Sequence, residues 1–192
     1  MILIALCLAF LLGLMAAGGR VSNLANIEVR RGWLAPLAFL MQACMMFMPA
    51  EMGGGLLSAR SVIFMISYAL LFVVIWYNRQ LPGVKLIGLG LLLNFLVIVL
   101  NGGFMPITPE TLVQIRYDGN TPRLESGYLV TRTKNMVMEP GEARLWFLSD
   151  VLVLPHPFPI PSALSLGDIL IVAGVFLFLR DPMLHKAPAS LA

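Results

Sequence analysis

Apolar residues gather in five stretches of this chain, Ile2 to Gly18, Trp33 to Pro49, Ser61 to Tyr77, Val84 to Leu100 and Leu166 to Leu179, and the segments between them carry nearly all of its charge. A helix rises about 1.5 Å per residue, so roughly 20 apolar residues thread a hydrocarbon layer about 30 Å thick. Backbone amides in that layer find no water, and a helix satisfies them within one segment. The pattern predicts an all-α membrane protein, a five-transmembrane-helix bundle with a mixed, irregular extracytoplasmic loop domain between helices 4 and 5. The last run is short unless it starts at Ser165 and ends at Arg180, whose long side chain can reach back to the interface. Ile2 to Gly18 lacks the positively charged leader of a secretory signal peptide, although Met15-Ala16-Ala17-Gly18 resembles a cleavage region, and is read as a retained helix.

Three regions follow from this pattern: residues 1–101 with four helices, 102–164 as the loop domain, and 165–192 as the fifth helix with a tail. Asn101 to Ala163 holds six acidic and five basic residues, many prolines, and no run long enough to span. Thr108-Pro109-Glu110 predicts a helix start, with a hydroxyl cap, a proline in the first turn and a carboxylate at the positive end of the dipole. Asp118-Gly119 is a turn signal, and the β-branched and aromatic residues of Gly127 to Thr133 predict a strand in a small hairpin. Pro140-Gly141-Glu142 predicts a second helix leading into Leu145 to Leu148. Beyond it, Pro155, Pro157, Pro159 and Pro161 forbid regular structure and predict an extended segment.

Composition sharpens the picture. Hydrophobic residues make up 59% of the 192 and charged residues only 12%, with a mean hydropathy of +0.88, outside the soluble norm. A net charge of +3 could suit nucleic acid, but the basic residues lie at the ends of apolar runs and not on one face, which excludes that partner. They report orientation instead. Arg20, Arg30, Arg31, Arg79, Lys85, Arg180 and Lys186 fall on one side of the threaded chain, against Arg60 alone in the second loop. The positive-inside rule makes the richer side cytoplasmic, with the N-terminus outside and the C-terminus inside. Trp33, Trp76 and Tyr77 sit at run ends, where amphipathic rings favour the interface. With no eukaryotic targeting feature, the expected location is a bacterial plasma membrane, and the expected partners are the lipid bilayer and other membrane proteins.

Candidate chemistry is sparse. Asn94 and Asn101 lie seven residues apart, hence on one helix face, and amides at that depth are costly unless they bond another group. With Gly102 and Gly103 they form a candidate polar cleft, or else interhelical bonds followed by a glycine turn. Asp150 and Asp168 flank the proline cluster at the outer boundary. Two carboxylates close enough to share a proton have split pKa values, so one can act as base on a water, and the pair is the catalytic candidate. Against this, Ser165-x-x-Asp168 fits a capping box at the head of the last helix, and Asp150 can cap or pair with Arg144. Met41, Met45, Met48 and Met52 recur at helical spacing near Cys44; thioethers suit a soft ion such as Cu(I), but methionine is more often a packing residue. His156 and His185 lie outside the runs, Cys7 and Cys44 inside them, so no metal site, disulfide or cofactor is expected.

On Asn94, Asn101-Gly102-Gly103 with Met105-Pro106, Leu148-Ser149-Asp150 with Pro155, and Ser165-Leu166-Gly167-Asp168, the chain resembles an uncharacterised bacterial membrane-protein family known only as a domain of unknown function. The resemblance implies a five-helix membrane protein and lends no activity. More weakly, Asp150, Asp168 and Asn101-Gly102-Gly103-Phe104 resemble parts of lipoprotein signal peptidase, an intramembrane aspartyl enzyme with four helices. That likeness implies a catalytic role for Asp150 and Asp168 alone. The expected function is a non-enzymatic membrane scaffold or accessory subunit, the alternative being a membrane-embedded aspartyl hydrolase.

Overall fold

The computed structural model describes residues 12, 14, 15, 18, 20–47, 58–115, 125–130, 133–154 and 161–184. Within them the chain is mostly helical with a few short strands. Helix α1 spans Leu34–Met46, α2 Ala59–Asn78, α3 Val84–Leu100, α4 Pro109–Ile115 and α5 Leu166–Leu184, with 3-10 turns at Val21–Asn26 and Trp146–Leu148. Four of the five apolar runs are thus helical where described; of the first, only Leu12, Leu14, Met15 and Gly18 fall among the described residues. By length and composition α2, at 20 residues, is the one described helix able to cross a membrane, while α1 and α3 are apolar but shorter. Helix α5 runs five residues past Leu179 and takes in Arg180, Asp181 and Pro182.

Helix ends follow local chemistry. Ser58 opens α2 by accepting a bond from Ser61 N at 3.2 Å. Thr108 Oγ1 does the same for Thr111 N at the head of α4, as Thr108-Pro109-Glu110 predicts. Helix α3 closes through Gly102 (φ 71°) and Gly103 (φ 95°), both left-handed, with Gly103 N donating to Ile98 O at 2.8 Å. A Cβ on Gly103 would also fall 2.0 Å from Ser61 Oγ, so glycine is required there twice over.

Packing runs through two kinds of contact. Between α3 and α5 the backbones themselves touch: a Cβ on Gly90 would lie 2.4 Å from Gly167 O, and one on Gly174 would lie 2.7 Å from Gly83 O. Pairing the first glycine of one helix with the last of the other makes the two antiparallel, and the seven-residue spacing puts both glycines of each helix on one face. Between α2 and its neighbours the filling is aromatic. Tyr68 lies 4.7 Å from Phe64 and 5.5 Å from Phe95, with Phe72 edge-on to Phe95, around a core that includes Met45, Val97, Ile98 and Met105.

The two ends of the bundle differ. At one end Asn78 grips the backbone of Arg30, accepting from its N and donating to its O, both at 2.8 Å, and Arg20 N reaches Met183 O. At the other, Asn101 grips Arg144 in the same way, and buried Arg60 donates to Thr133 O at 2.8 Å. The polar region after Asn101 is therefore seated on the end of α2 opposite Arg30, about 30 Å away along a 20-residue helix.

That region is built on two short ladders and its own small core. β1 (Met105–Ile107) pairs in parallel with β2 (Asn135–Val137), and β3 (Leu152–Leu154) antiparallel with β4 (Ser162–Leu164). Ile107, Leu112, Val130 and Val137 are buried between them. Two expectations are corrected here. Among the described residues of Gly127 to Thr133 no ladder strand forms, although Val130 N donates to Asn135 O and Leu129 bridges Met136, so the segment lies antiparallel to β2 as in a small hairpin; Thr133 Oγ1 donates to Val130 O and accepts from Asn135 N where the chain turns. Nor does a helix follow Pro140-Gly141-Glu142. Asn101 occupies both backbone groups of Arg144 and Leu145 is left-handed (φ 54°), so only one 3-10 turn forms. Asp118-Gly119 and Pro155, Pro157 and Pro159 lie outside the described residues, and Pro161 directly precedes β4.

Candidate functional site

Where the polar region meets the helices it encloses a half-open cavity of about 350 Å³, walled by Gln42 and Met45 of α1, Phe64 of α2, Ile107 and Ile115, Thr133 to Asn135, Asp150, Pro161 to Leu164, and Asp168 of α5. Both aspartates picked out in the sequence line it. They reach it from different scaffolds.

Asp168 stands on the first turn of α5. Its Oδ2 accepts from Ser165 N at 3.1 Å while Ser165 Oγ accepts from Asp168 N at 3.0 Å, a reciprocal cap of the kind Ser165-x-x-Asp168 predicts. Its Oδ1 accepts from Asn94 Nδ2 at 2.9 Å, and Asn94 Oδ1 takes the Ser165 hydroxyl at 2.8 Å. Asn94, Ser165 and Asp168 thus close a buried ring of bonds between α3 and the head of α5. Gly167 is what lets Asn94 come so near, since a Cβ there would lie 2.2 Å from Asn94 Oδ1.

Asp150 lies on irregular backbone after the Trp146–Leu148 turn and is 5% exposed. Asn135 Nδ2 donates to its Oδ2 at 2.6 Å, whereas Oδ1 is buried with no hydrogen-bond partner among the described residues. Burial pushes the Asp150 carboxyl above its ordinary value, the positive charge of Lys134 opposing and the charge of Asp168 reinforcing the rise. For Lys134, burial would lower the ammonium, but Asp150 and Asp168 outweigh it and hold the group above its usual range. Two carboxylates and one ammonium therefore feel one another across this cavity.

The remaining candidates fall elsewhere. Asn94 belongs to the ring on Asp168. Asn101 donates to Val97 O and to Arg144 O, and together with Gly102 it lines a separate open groove of about 800 Å³ with Ser126, Glu142 and Arg144. Asn94 and Gly103 are not in that groove, and Gly103 lies against Ser61, so the four residues of the candidate polar cleft are divided among three places. Exposed Glu142 accepts from the Ser126 hydroxyl, which holds its carboxyl below the ordinary range. Arg144 meets Asn101 through its backbone, and the bond to Asp150 comes from Asn135. Met45 is packed into the main core and Cys44 is an exposed free thiol; Met48 and Met52 lie outside the described residues.

Lys134 and Asn135 escape a reading of the sequence. Their signal is slight: an amide and an ammonium directly before Met136-Val137-Met138, in a segment whose other charges suggest a solvated loop. Only the parallel pairing of β2 with β1 turns Asn135 inward toward Asp150.

Residues 26–180 match the family of unknown function DUF5317. The chain belongs to that family. The match spans every residue of the cavity and of the ring on Asp168. This DUF5317 chain is also similar to an uncharacterized protein of Thermotoga maritima, 25% identical over 171 residues that cover 89% of this chain and 85% of that protein. No solved structure matches it.

Proposed function

We propose that this DUF5317 protein is a non-enzymatic integral membrane protein of the bacterial plasma membrane, a scaffold or accessory subunit that crosses five times and holds residues 102–164 on the outer face as a fixed platform for other membrane proteins. The observation that carries it is that the helices bury polar side chains while leaving large apolar ones exposed. In α2 the buried residues include Arg60, Ser61, Ser67 and Asn78, and in α3 and α5 they include Asn94 and Asp168. Phe39, Leu40, Ile66, Leu89, Leu92 and Ile169 point outward and are exposed. Apolar side chains fill much of the interior as well, but polar groups buried beneath an apolar exterior are an arrangement that lipid, not water, rewards.

Further support comes from the ends. Arg79 lies over the Trp76 ring at 4.3 Å and Arg31 over Tyr77 at 4.8 Å, at the end away from the polar region, as expected of a cytoplasmic interface. At the other end Trp146 and Phe147 are half exposed beside the end of α3, suited to the outer interface. Asp168 argues for a structural role, because both of its oxygens are already engaged.

Purifying the full chain in mild detergent tests this reading. A stoichiometric partner that survives Asp168→Asn, with a cysteine at Ser126 labelled by an impermeant maleimide from outside and one at Arg79 not, is the expected result. Labelling at Arg79 and not at Ser126 would reverse the topology. The aspartyl-hydrolase reading keeps one specific observation, that Asp150 and Asp168 share a cavity with Lys134. It requires a peptide product that accumulates with the wild type and disappears with both Asp150→Asn and Asp168→Asn.

A further inference from the structure

We infer that the cavity between the helices and the polar region binds a primary ammonium group carried on an apolar body. Its volume of about 350 Å³ falls in the range of small-molecule sites, roughly 300–1,000 Å³. Met45, Phe64, Ile107, Ile115 and Leu164 supply apolar wall. Among them Asp150 Oδ1 is a buried acceptor without a donor among the described residues, and buried polar atoms are normally paired.

Charge selects the class of ligand. The cavity sets two carboxyl side chains, Asp150 and Asp168, against one ammonium, Lys134, a lining that favours a single cation over an anion. Hard divalent ions such as Ca²⁺ and Mg²⁺ take six or more oxygen ligands. Both oxygens of Asp168 already accept a bond, from Asn94 and Ser165, and Asn135 holds the second oxygen of Asp150, so the described residues offer one open carboxylate oxygen and no cluster of metal ligands. One acceptor oxygen in an apolar pocket suits an N–H donor instead. An ammonium brings three such donors and no lone pair. The same chemistry is offered by a free alkylamine or by the headgroup of an aminophospholipid entering from the outer leaflet.

This inference is independent of the subunit reading, because an empty cavity would leave a copurified partner in place. The test titrates n-octylammonium into the full chain in detergent by calorimetry, beside octyltrimethylammonium, which has the charge and lacks the N–H. Saturable binding of the first, weakened at least about ten-fold in the second and in Asp150→Asn, is the expected result, since a charged hydrogen bond is lost each time. Ala163→Leu, which narrows the cavity and keeps Asp150, should weaken it as well, covering the case in which Asp150→Asn fails to fold. Nanodiscs of phosphatidylethanolamine against phosphatidylglycerol then separate the sources: competition by the former identifies the lipid headgroup, and equal affinity in both identifies a free amine. No saturable binding, equal binding of the trimethyl compound, or undiminished binding by both variants would overturn the inference.

Discussion

Asp168 and Asp150 line one cavity from different scaffolds, and the two walls are made differently. On the α5 wall, Asp168 sits at the start of a 19-residue helix with both oxygens bonded, locked to Asn94 across a seam where glycine brings two backbones together. On the loop wall, Asp150 hangs from a short turn, with one oxygen held by Asn135 and the other buried and unmet among the described residues. Both are nearly inaccessible, at 6% and 5% exposure, so burial does not separate them. What separates them is satisfaction of their bonds. A buried carboxylate with both oxygens engaged behaves as part of the frame, whereas one with a single oxygen engaged keeps chemistry in reserve for something else.

The largest effect should come from forcing the α5 wall open. Gly167→Val places side-chain atoms where Asn94 Oδ1 and Gly90 O already lie, at 2.2 and 2.7 Å from the ideal Cβ. Backbone cannot yield as a flexible side chain can, so destabilisation of about 3 kcal/mol or more is expected. Unfolding in detergent followed by circular dichroism measures it. Retention of wild-type stability would mean that the seam is not closely packed.

A smaller effect compares the two carboxylates directly. Asp168→Ala removes a helix cap, about 1 kcal/mol, and strands the buried amide of Asn94, a further 1–3 kcal/mol. Asp150→Ala strands Asn135 in the same way, but it also removes a buried charge whose second oxygen was never satisfied, and the two changes offset in part. The loss at Asp168 should therefore exceed that at Asp150 by roughly 1–2 kcal/mol. Equal losses would show the two walls to be equivalent and remove the distinction between frame and reserve.

How far these walls can be read from the sequence follows the same division. The cap is local: Ser165 and Asp168 are three residues apart, and the chemistry that joins them needs no knowledge of the fold. Asn94 is legible as an inward amide because a polar group in an apolar run has few places to go, and the four longer helices are legible from apolar length alone. The loop wall depends on partners distant in sequence. Asn135 reaches Asp150 only because β2 pairs in parallel with β1, and the Arg144 backbone is drawn off its expected helix by Asn101, 43 residues earlier. The glycine seam lies between these cases. Gly83 and Gly90, like Gly167 and Gly174, repeat at seven residues in plain view, yet only contact between α3 and α5 gives the repeat its meaning.

Protonation offers the finest test, because it touches one wall and leaves the other alone. Burial raises the folded pKa of Asp150 above its ordinary 3.8, so between that value and the folded one the native state keeps a proton that the unfolded chain has released. Stability attributable to Asp150 must then fall as pH rises through that window, and level off above it, with a slope no steeper than about 1.4 kcal/mol per pH unit. Asp150→Asn removes this fall. Lys134→Met extends it to higher pH, since the ammonium that favours the ionised carboxylate is gone. Denaturation midpoints taken at half-unit steps from pH 4 upward resolve the three curves. If wild type and Asp150→Asn run parallel throughout, the carboxyl is not shielded from solvent as its burial requires, and the contrast between the two walls loses its electrostatic basis.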